Sequence, residues 1–316
     1  MSCRSNNHGR AFEYVCVQTL YEKIAQIRAC RITKNSSLQA DKRAFDTLDN
    51  DTKALLAKGA EAIVPTLLEL EPFISLDEGD TLDLTVQADN LGETGDVRDI
   101  LIGRSGVHWE IGLSVKHNHF AVKHSRLART LNFGEKWFGE PCSCDYWNEV
   151  KPIFDMLTQE KANGTRWSEL PEKSEKIYVP LLTAFVKEVK RQYTKDKKIV
   201  SKMVEYLLGK YDFYKVISLE QRQITLLQSF NFKGTLNAHS PHSVTTILPR
   251  VSLPTQIISL DFKQGSKTTV ELYLNEGWQF SFRLHNASTL AEPSLKFDVQ
   301  IIGLPVTAMT ITCNWR

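Results

Sequence analysis

Residues 95–126 read GDVRDILIGRSGVHWEIGLSVKHNHFAVKHSR, which sets an aspartate, Asp99, at the head of one apolar run and a lysine, Lys116, at the end of the next. Hydrolysis of a phosphodiester needs a hard cation to activate water and neutralise charge on the phosphorane, and hard cations take carboxylate oxygens. A lysine beside that cation can orient or deprotonate the water and stabilise developing negative charge. Asp99, Lys116, Glu110 and Ser114 are the candidate catalytic residues, and Asp99, Glu110, Glu13 and Asp96 the candidate metal ligands. A generic Asp and Lys on a hairpin more often belong to a solvated face, so the surrounding elements decide between the two meanings.

Val97 to Gly103 is apolar and β-branched, Arg104 to Gly106 has turn chemistry, and Trp109 to Lys116 resumes as a strand, which predicts a β-hairpin. A loop at Ser105-Gly106 or at Gly106-Val107 gives the same parity: Asp99, Glu110, Ser114 and Lys116 share one face and Asp96 falls on the other. The second register brings Asp99 opposite Ser114. Glu110 lies about 13 Å along the strand from Ser114, at roughly 3.3 Å per residue. A different acid is Glu13, in a helix that GRAFE (9–13) opens, beside the apolar stripe Phe12, Cys16, Leu20, Ile24 and Ile27. Either Glu110 or Glu13 can serve as the second carboxylate.

DILI followed by the small-residue strand GLSVK resembles the PD-(D/E)xK nuclease core, with the departure that Ser114 stands where the second acid belongs. The strings GRAFEY (9–14), GDVRDI (95–100), GLSVKHNHFAVKHSRL (112–127), GWQFSFRLHNAS (277–288) and EPSLKFDVQIIGLP (292–305) resemble the HaeIII family of type II restriction endonucleases along nearly the whole chain. That resemblance implies magnesium-dependent cleavage of double-stranded DNA within the palindrome GGCC, and a cognate DNA methyltransferase as functional partner. Cutting both strands of a palindrome requires a homodimer or a monomer that nicks twice. A repair or junction nuclease on the same core, and a DNA-binding regulator without chemistry, are the competing readings.

A net charge of +2 does not announce nucleic acid, yet Arg104 to Lys136 holds six Lys/Arg against two Glu, with four histidines. His117, Asn118, His119, Lys123, His124 and Arg126 are the expected phosphate path, with Lys123 and Arg126 on one face of a helix. His117-Asn118-His119 is not an HNH nuclease motif, because that unit needs its histidine and asparagine on separate elements. The six cysteines form no paired C-x-x-C knuckle and no secreted-type framework. No apolar stretch reaches the roughly 18 residues of a membrane span, and the polar start MSCRSNNHGR is unlike a signal peptide. A reduced, cytoplasmic protein is expected, in which the sequons at Asn35, Asn163 and Asn286 carry no meaning.

Helical patterns fill residues 10–76, 125–130, 146–161 and 174–208, the last broken near Lys195, while 80–117 and the region beyond Asn231 read as strands. The expected fold is α+β or α/β, with a nuclease core on a mixed sheet at 1–230 and a β-rich recognition region at 231–316. In Trp278 to Leu284 the apolar residues alternate with Gln279, Ser281, Arg283 and His285. Glutamine and arginine bond purine edges bidentately, so Gln279 and Arg283 are candidate base contacts, with Arg250 and Lys296 as further guanine-directed cations.

Overall fold

Burial alternates along the strands of the computed structural model: Leu82, Leu84 and Val86 are buried, and Asp83 and Thr85 between them are not. The structure describes residues 2–88, 95–237 and 248–316, the side chains of 2–6 and of His124 excepted. In chain order the helices are α1 (Ser2–Ile24), α2 (Ser36–Asp46), α3 (Asn50–Glu61), α4 (Val64–Leu70), α5 (Phe133–Phe138), α6 (Cys144–Ala162), α7 (Val179–Lys195) and α8 (Ile199–Leu208). The strands are β1 (Cys30–Ile32), β2 (Leu82–Val86), β3 (Ile100–Arg104), β4 (Trp109–His117), β5 (Ala121–Ala128), β6 (Phe213–Leu219), β7 (Ile224–Phe230), β8 (Ile257–Phe262), β9 (Thr269–Leu274), β10 (Gln279–His285), β11 (Ser294–Gly303) and β12 (Thr310–Asn314).

Contacts divide the chain into two compact units, Met1–Phe120, Lys210–Ser252 and Val306–Arg316 in one, Ala121–Gly209 and Leu253–Pro305 in the other. The linear division at 230 is therefore not how the residues group. β12 pairs with β7, and β5 pairs with β11, so each unit takes strands from both halves of the chain. Strand pairing is lateral, and a change of texture along one dimension does not reveal it. The expected boundary near 231–243 lies partly outside the described residues.

The first unit is built on a seven-stranded mixed sheet in the order β1-β2-β3-β4-β6-β7-β12. β4 and β6 run parallel at its centre, while β3 pairs antiparallel with β4. Helix α1 buries Phe12, Cys16, Leu20 and Ile24 in the same core as Leu113 and Val115 of β4, as helical spacing demands. Ile27 is instead 46% exposed, because the helix ends at Ile24 and the stripe has no further turn to ride on. A mixed sheet flanked by helices is the fold class expected.

In the second unit all strands are antiparallel, in the order β5-β11-β10-β9-β8. Residues 125–130 do not form the expected helix: Ser125 to Ala128 belong to β5, where backbone pairing with Ser294 to Phe297 outweighs local preference. The inner face carries Phe282 and Phe297, packed against Phe185 and the fully buried Trp137. The Trp137 indole donates to Ser125 Oγ at 3.0 Å, which satisfies its one polar atom. β10 keeps the expected alternation, with Phe280, Phe282 and Leu284 buried and Arg283 exposed. Trp137→Ala should lower the unfolding free energy by about 3–5 kcal/mol; the readout is the urea midpoint followed by circular dichroism, and a shift under about 1 kcal/mol would remove Trp137 from the centre of this core.

Candidate active site

The β3–β4 hairpin sets the geometry. Arg104 pairs with Trp109 and Ile100 with Leu113, which is the second of the two expected registers. Its turn closes through a 3-10 segment at Ser105–Val107, with His108 in the left-handed region at φ 52°. Asp99 precedes β3, its amide bonded to the Leu113 carbonyl at 2.7 Å and its carbonyl to the Gln87 amide at 2.8 Å. Its carboxylate reaches across to β4, where Oδ2 accepts from the Val115 amide at 2.6 Å, Lys116 Nζ at 2.8 Å and Ser114 Oγ at 3.3 Å. The Asp99 and Lys116 side chains are 23% and 25% exposed, open enough to meet a ligand.

Arg98 gathers the other hairpin acids. It bonds Asp96 through Nε and Nη2 at 2.8 and 2.7 Å, and Glu110 through Nη1 at 2.7 Å. Burial alone would raise the Asp96 carboxyl, but hydrogen bonds from Arg98 and Gln87 outweigh it and hold the group below its usual range. The arginine lies directly over Gly112, where a Cβ would fall 2.0 Å from Arg98 Cδ, so glycine is needed for this close approach. Asp96 and Glu110 are thus tied together on one guanidinium. Ser114 is buried and offers Asp99 a neutral donor, not a charge.

Glu13 is half-buried on α1. Burial raises the Cys16 thiol well above its ordinary value, and the Glu13 and Asp99 carboxylates both add to the shift, so the two acids lie within electrostatic reach of one thiol. Glu13 and Asp99 therefore share a neighbour, whereas Glu110 is bound to Arg98. Among the described residues no group of three or more His, Cys, Asp or Glu is placed to hold a metal ion. The hydrogen bonds from Val115, Lys116 and Ser114 to the Asp99 carboxylate all go to Oδ2, and none of them goes to Oδ1.

Lys215 was not foreseen. It sits on β6 beside Ser114 in the parallel register and is only 2% exposed. Its Nζ donates to the Phe120 carbonyl at 2.8 Å. Burial first, then the charge of Lys116, bring its ammonium down to about 7, against the opposing pull of Asp99. A single lysine within the apolar run FYKVISL was the signal that could have found it.

The expected phosphate path is dispersed. The His117 side chain is 5% exposed and packs its ring against Phe12 and His8, with Nε2 3.4 Å from Glu220. Burial lowers its imidazole, opposed by Glu220 and reinforced by His8. Asn118 is exposed and left-handed at φ 52°, and its Oδ1 accepts from the Glu220 amide at 2.9 Å, which makes it a turn clamp. His119 is half-buried. Lys123 and Arg126 stand on β5, where residues three apart point to opposite faces, so they do not share one. Lys123 Nζ bonds the Tyr206 carbonyl at 2.9 Å, while Arg126 is exposed beside Ser294. The His124 side chain lies outside the described residues. Gln279 lies over Gly303, and Arg283 is 58% exposed beside Asp298.

A model of the HaeIII restriction endonuclease family matches residues 9–305. The Type II restriction enzyme HaeIII of Haemophilus aegyptius is 49% identical over 318 residues, with all of both chains covered. The chain belongs to the HaeIII restriction endonuclease family. This HaeIII-family chain is a type II site-specific deoxyribonuclease, and the readings as a repair nuclease or a silent regulator fall away. No solved structure matches it. Among its described residues no helix is long and apolar enough to cross a membrane.

The Lys215 shift has a consequence for this family member without divalent ions. Between about 7 and 10.5 the unfolded chain keeps a proton on Lys215 that the folded chain has released, so this group makes stability rise with pH across that window. The stability of Lys215→Met minus that of wild type should be largest below pH 7 and shrink towards pH 10.5. Urea unfolding at three pH values measures it, and a difference that stays flat would show that the lysine is not strained by burial.

Proposed function

We propose that the chain cleaves double-stranded DNA within GGCC, the site that its resemblance to the family implies, with magnesium held by Asp99 and Glu13 and with Lys116 acting on the attacking water. The observation that carries the reading is the Asp99 carboxylate, clamped through Oδ2 by the Val115 amide, Lys116 and Ser114 with Oδ1 left over. A carboxylate so restrained keeps one oxygen aimed without further ordering when a ligand arrives. Magnesium, when bound, supplies the Lewis acidity that activates water and offsets phosphate charge. Lys116 holds an ammonium where its hydrogen bonds can pass from Asp99 to the water and the phosphate oxygens. Ser114 supports the Asp99 rotamer and carries no charge, which leaves Glu13 as the second acid.

In this reading, Asn118 and His119 stand beside the scissile strand, Arg126 tracks phosphate, and Arg283 reads bases. Both strands of the palindrome are cut by a homodimer or by a monomer nicking twice, and a cognate DNA methyltransferase protects the host sites. Five free cysteines among the described residues suit a reducing cytoplasm.

Purified protein incubated with plasmid and magnesium should give fragments whose sequenced ends fall inside GGCC; ends at unrelated sequences would reject that site. Asp99→Ala and Lys116→Ala should each lower cleavage by several orders of magnitude with the fold intact, since each removes several kcal/mol of charge stabilisation. Near-normal cutting by either variant would refute the assignment. Glu13→Gln should raise the magnesium concentration needed for half-maximal cutting, and Glu110→Gln should leave it in place. The reverse pattern would move the second ligand to β4.

A further inference from the structure

Asp298 stands on the polar face of β11 and is nonetheless only 4% exposed. The register sets it directly opposite Arg283, with Gln300 two residues on and opposite Ser281. Two donors converge on its Oδ2: Arg283 Nη2 at 3.5 Å and Gln300 Nε2 at 3.2 Å. Because a carboxylate only accepts, the Gln300 amide must turn its NH2 towards Asp298, which leaves its Oε1 as an acceptor on the other side. Arg283 spends one edge of its guanidinium on Asp298 and remains 58% exposed, so further N–H donors stay available. These side chains line a hollow of about 390 Å³, walled by Lys263, Ser281 and Thr269.

Cations gather on the Arg283 and Lys296 side of this face. Burial holds the His285 imidazole below its ordinary value, and Arg283 and Lys296 push it further, against Asp298. Lys296 is lowered by burial and by Arg126, again against Asp298. Asp298 therefore stands beside a cluster of Arg283, Lys296 and Arg126 that suits a polyanion, while Glu271, opposite Ser281, is paired with Lys263.

We propose that Asp298 is the positioning residue of a base-reading pair in which Arg283 is the donor and Gln300 the acceptor, matched to the major-groove edge of a G·C pair. This rests on the reading of the chain as a duplex-DNA endonuclease. A G·C pair presents two acceptors, guanine N7 and O6, followed by the cytosine N4 donor, and a forked donor beside an acceptor complements that order. An A·T pair places the adenine amino group where the fork needs an acceptor, so the same array rejects it. Asp298 itself touches no base; it fixes which atoms its two neighbours present.

Binding in calcium, without turnover, to the GGCC duplex and to duplexes with single G·C to A·T replacements provides the test. For Asp298→Asn, whose amide no longer compels either orientation, preference for the intact site over one particular replacement should fall roughly 10-fold, within the range expected for one bidentate base contact. Arg283→Ala and Gln300→Leu should lose preference at that same pair, and the double variant should lose little more than either single one. Variants that keep wild-type preference at every pair, or that weaken on all duplexes alike, overturn the proposal. If Asp298→Asn does not fold by circular dichroism, the Arg283 and Gln300 variants decide it by the same criterion. Wild-type protein without preference for the GGCC duplex over its replacements would overturn the proposed GGCC site and this inference together, whereas a specific wild type with indifferent variants overturns this one alone.

Discussion

The Asp99 carboxylate takes a main-chain hydrogen bond from Val115 that a strand carbonyl would ordinarily take, and the hairpin's chemistry depends on that substitution. A neutral side chain at 99 would remove one acceptor from the Val115 amide and one from the Lys116 ammonium, so the local aim of both donors is set by one group. The bond also determines which of the carboxylate's two oxygens is occupied. Around it the acids are sorted by a second cation: Arg98, lying over Gly112, engages Asp96 and Glu110, while Lys116 engages Asp99.

Much of this was legible because period-two patterning is a local property. The parity of Asp99, Ser114 and Lys116, the alternation in β10 and the break between α7 and α8 after Lys195 all follow from spacing within a few residues. Fold class and family were legible too, since the resemblance runs through strings spread from the first helix to the last strands. What failed was non-local. Residues 125–130 look helical in isolation and become strand only because β11 pairs with them. Lys123 and Arg126 lost their common face by the same change of period. Lys215 escaped notice because its neighbours Ser114 and Lys116 are brought to it by a parallel pairing that no sequence window contains.

The candidate site departs from the PD-(D/E)xK pattern that its sequence resembles in a physically coherent way. Serine at 114 removes an acid next to Asp99, and the neighbouring strand supplies a buried lysine at the paired position. An acid at 114 would have stood beside Lys215 and formed a buried ion pair, with each charge drawn from the other's task. Serine leaves Lys215 to hold the Phe120 carbonyl, and so the three-residue passage from β4 to β5.

Connectivity gives the molecule a property of time as well as of shape. β5 waits for β11, since Ala128 finds its partner only at Ser294, and β7 waits for β12 at Thr310. Long-range pairings of this kind close slowly, and open strand edges are prone to stray pairing while they wait. Neither sheet is complete without these distant strands, β12 in one and β11 in the other. Each sheet is thereby closed by pairings between segments far apart in the chain, so its completion is a late, non-local event of folding.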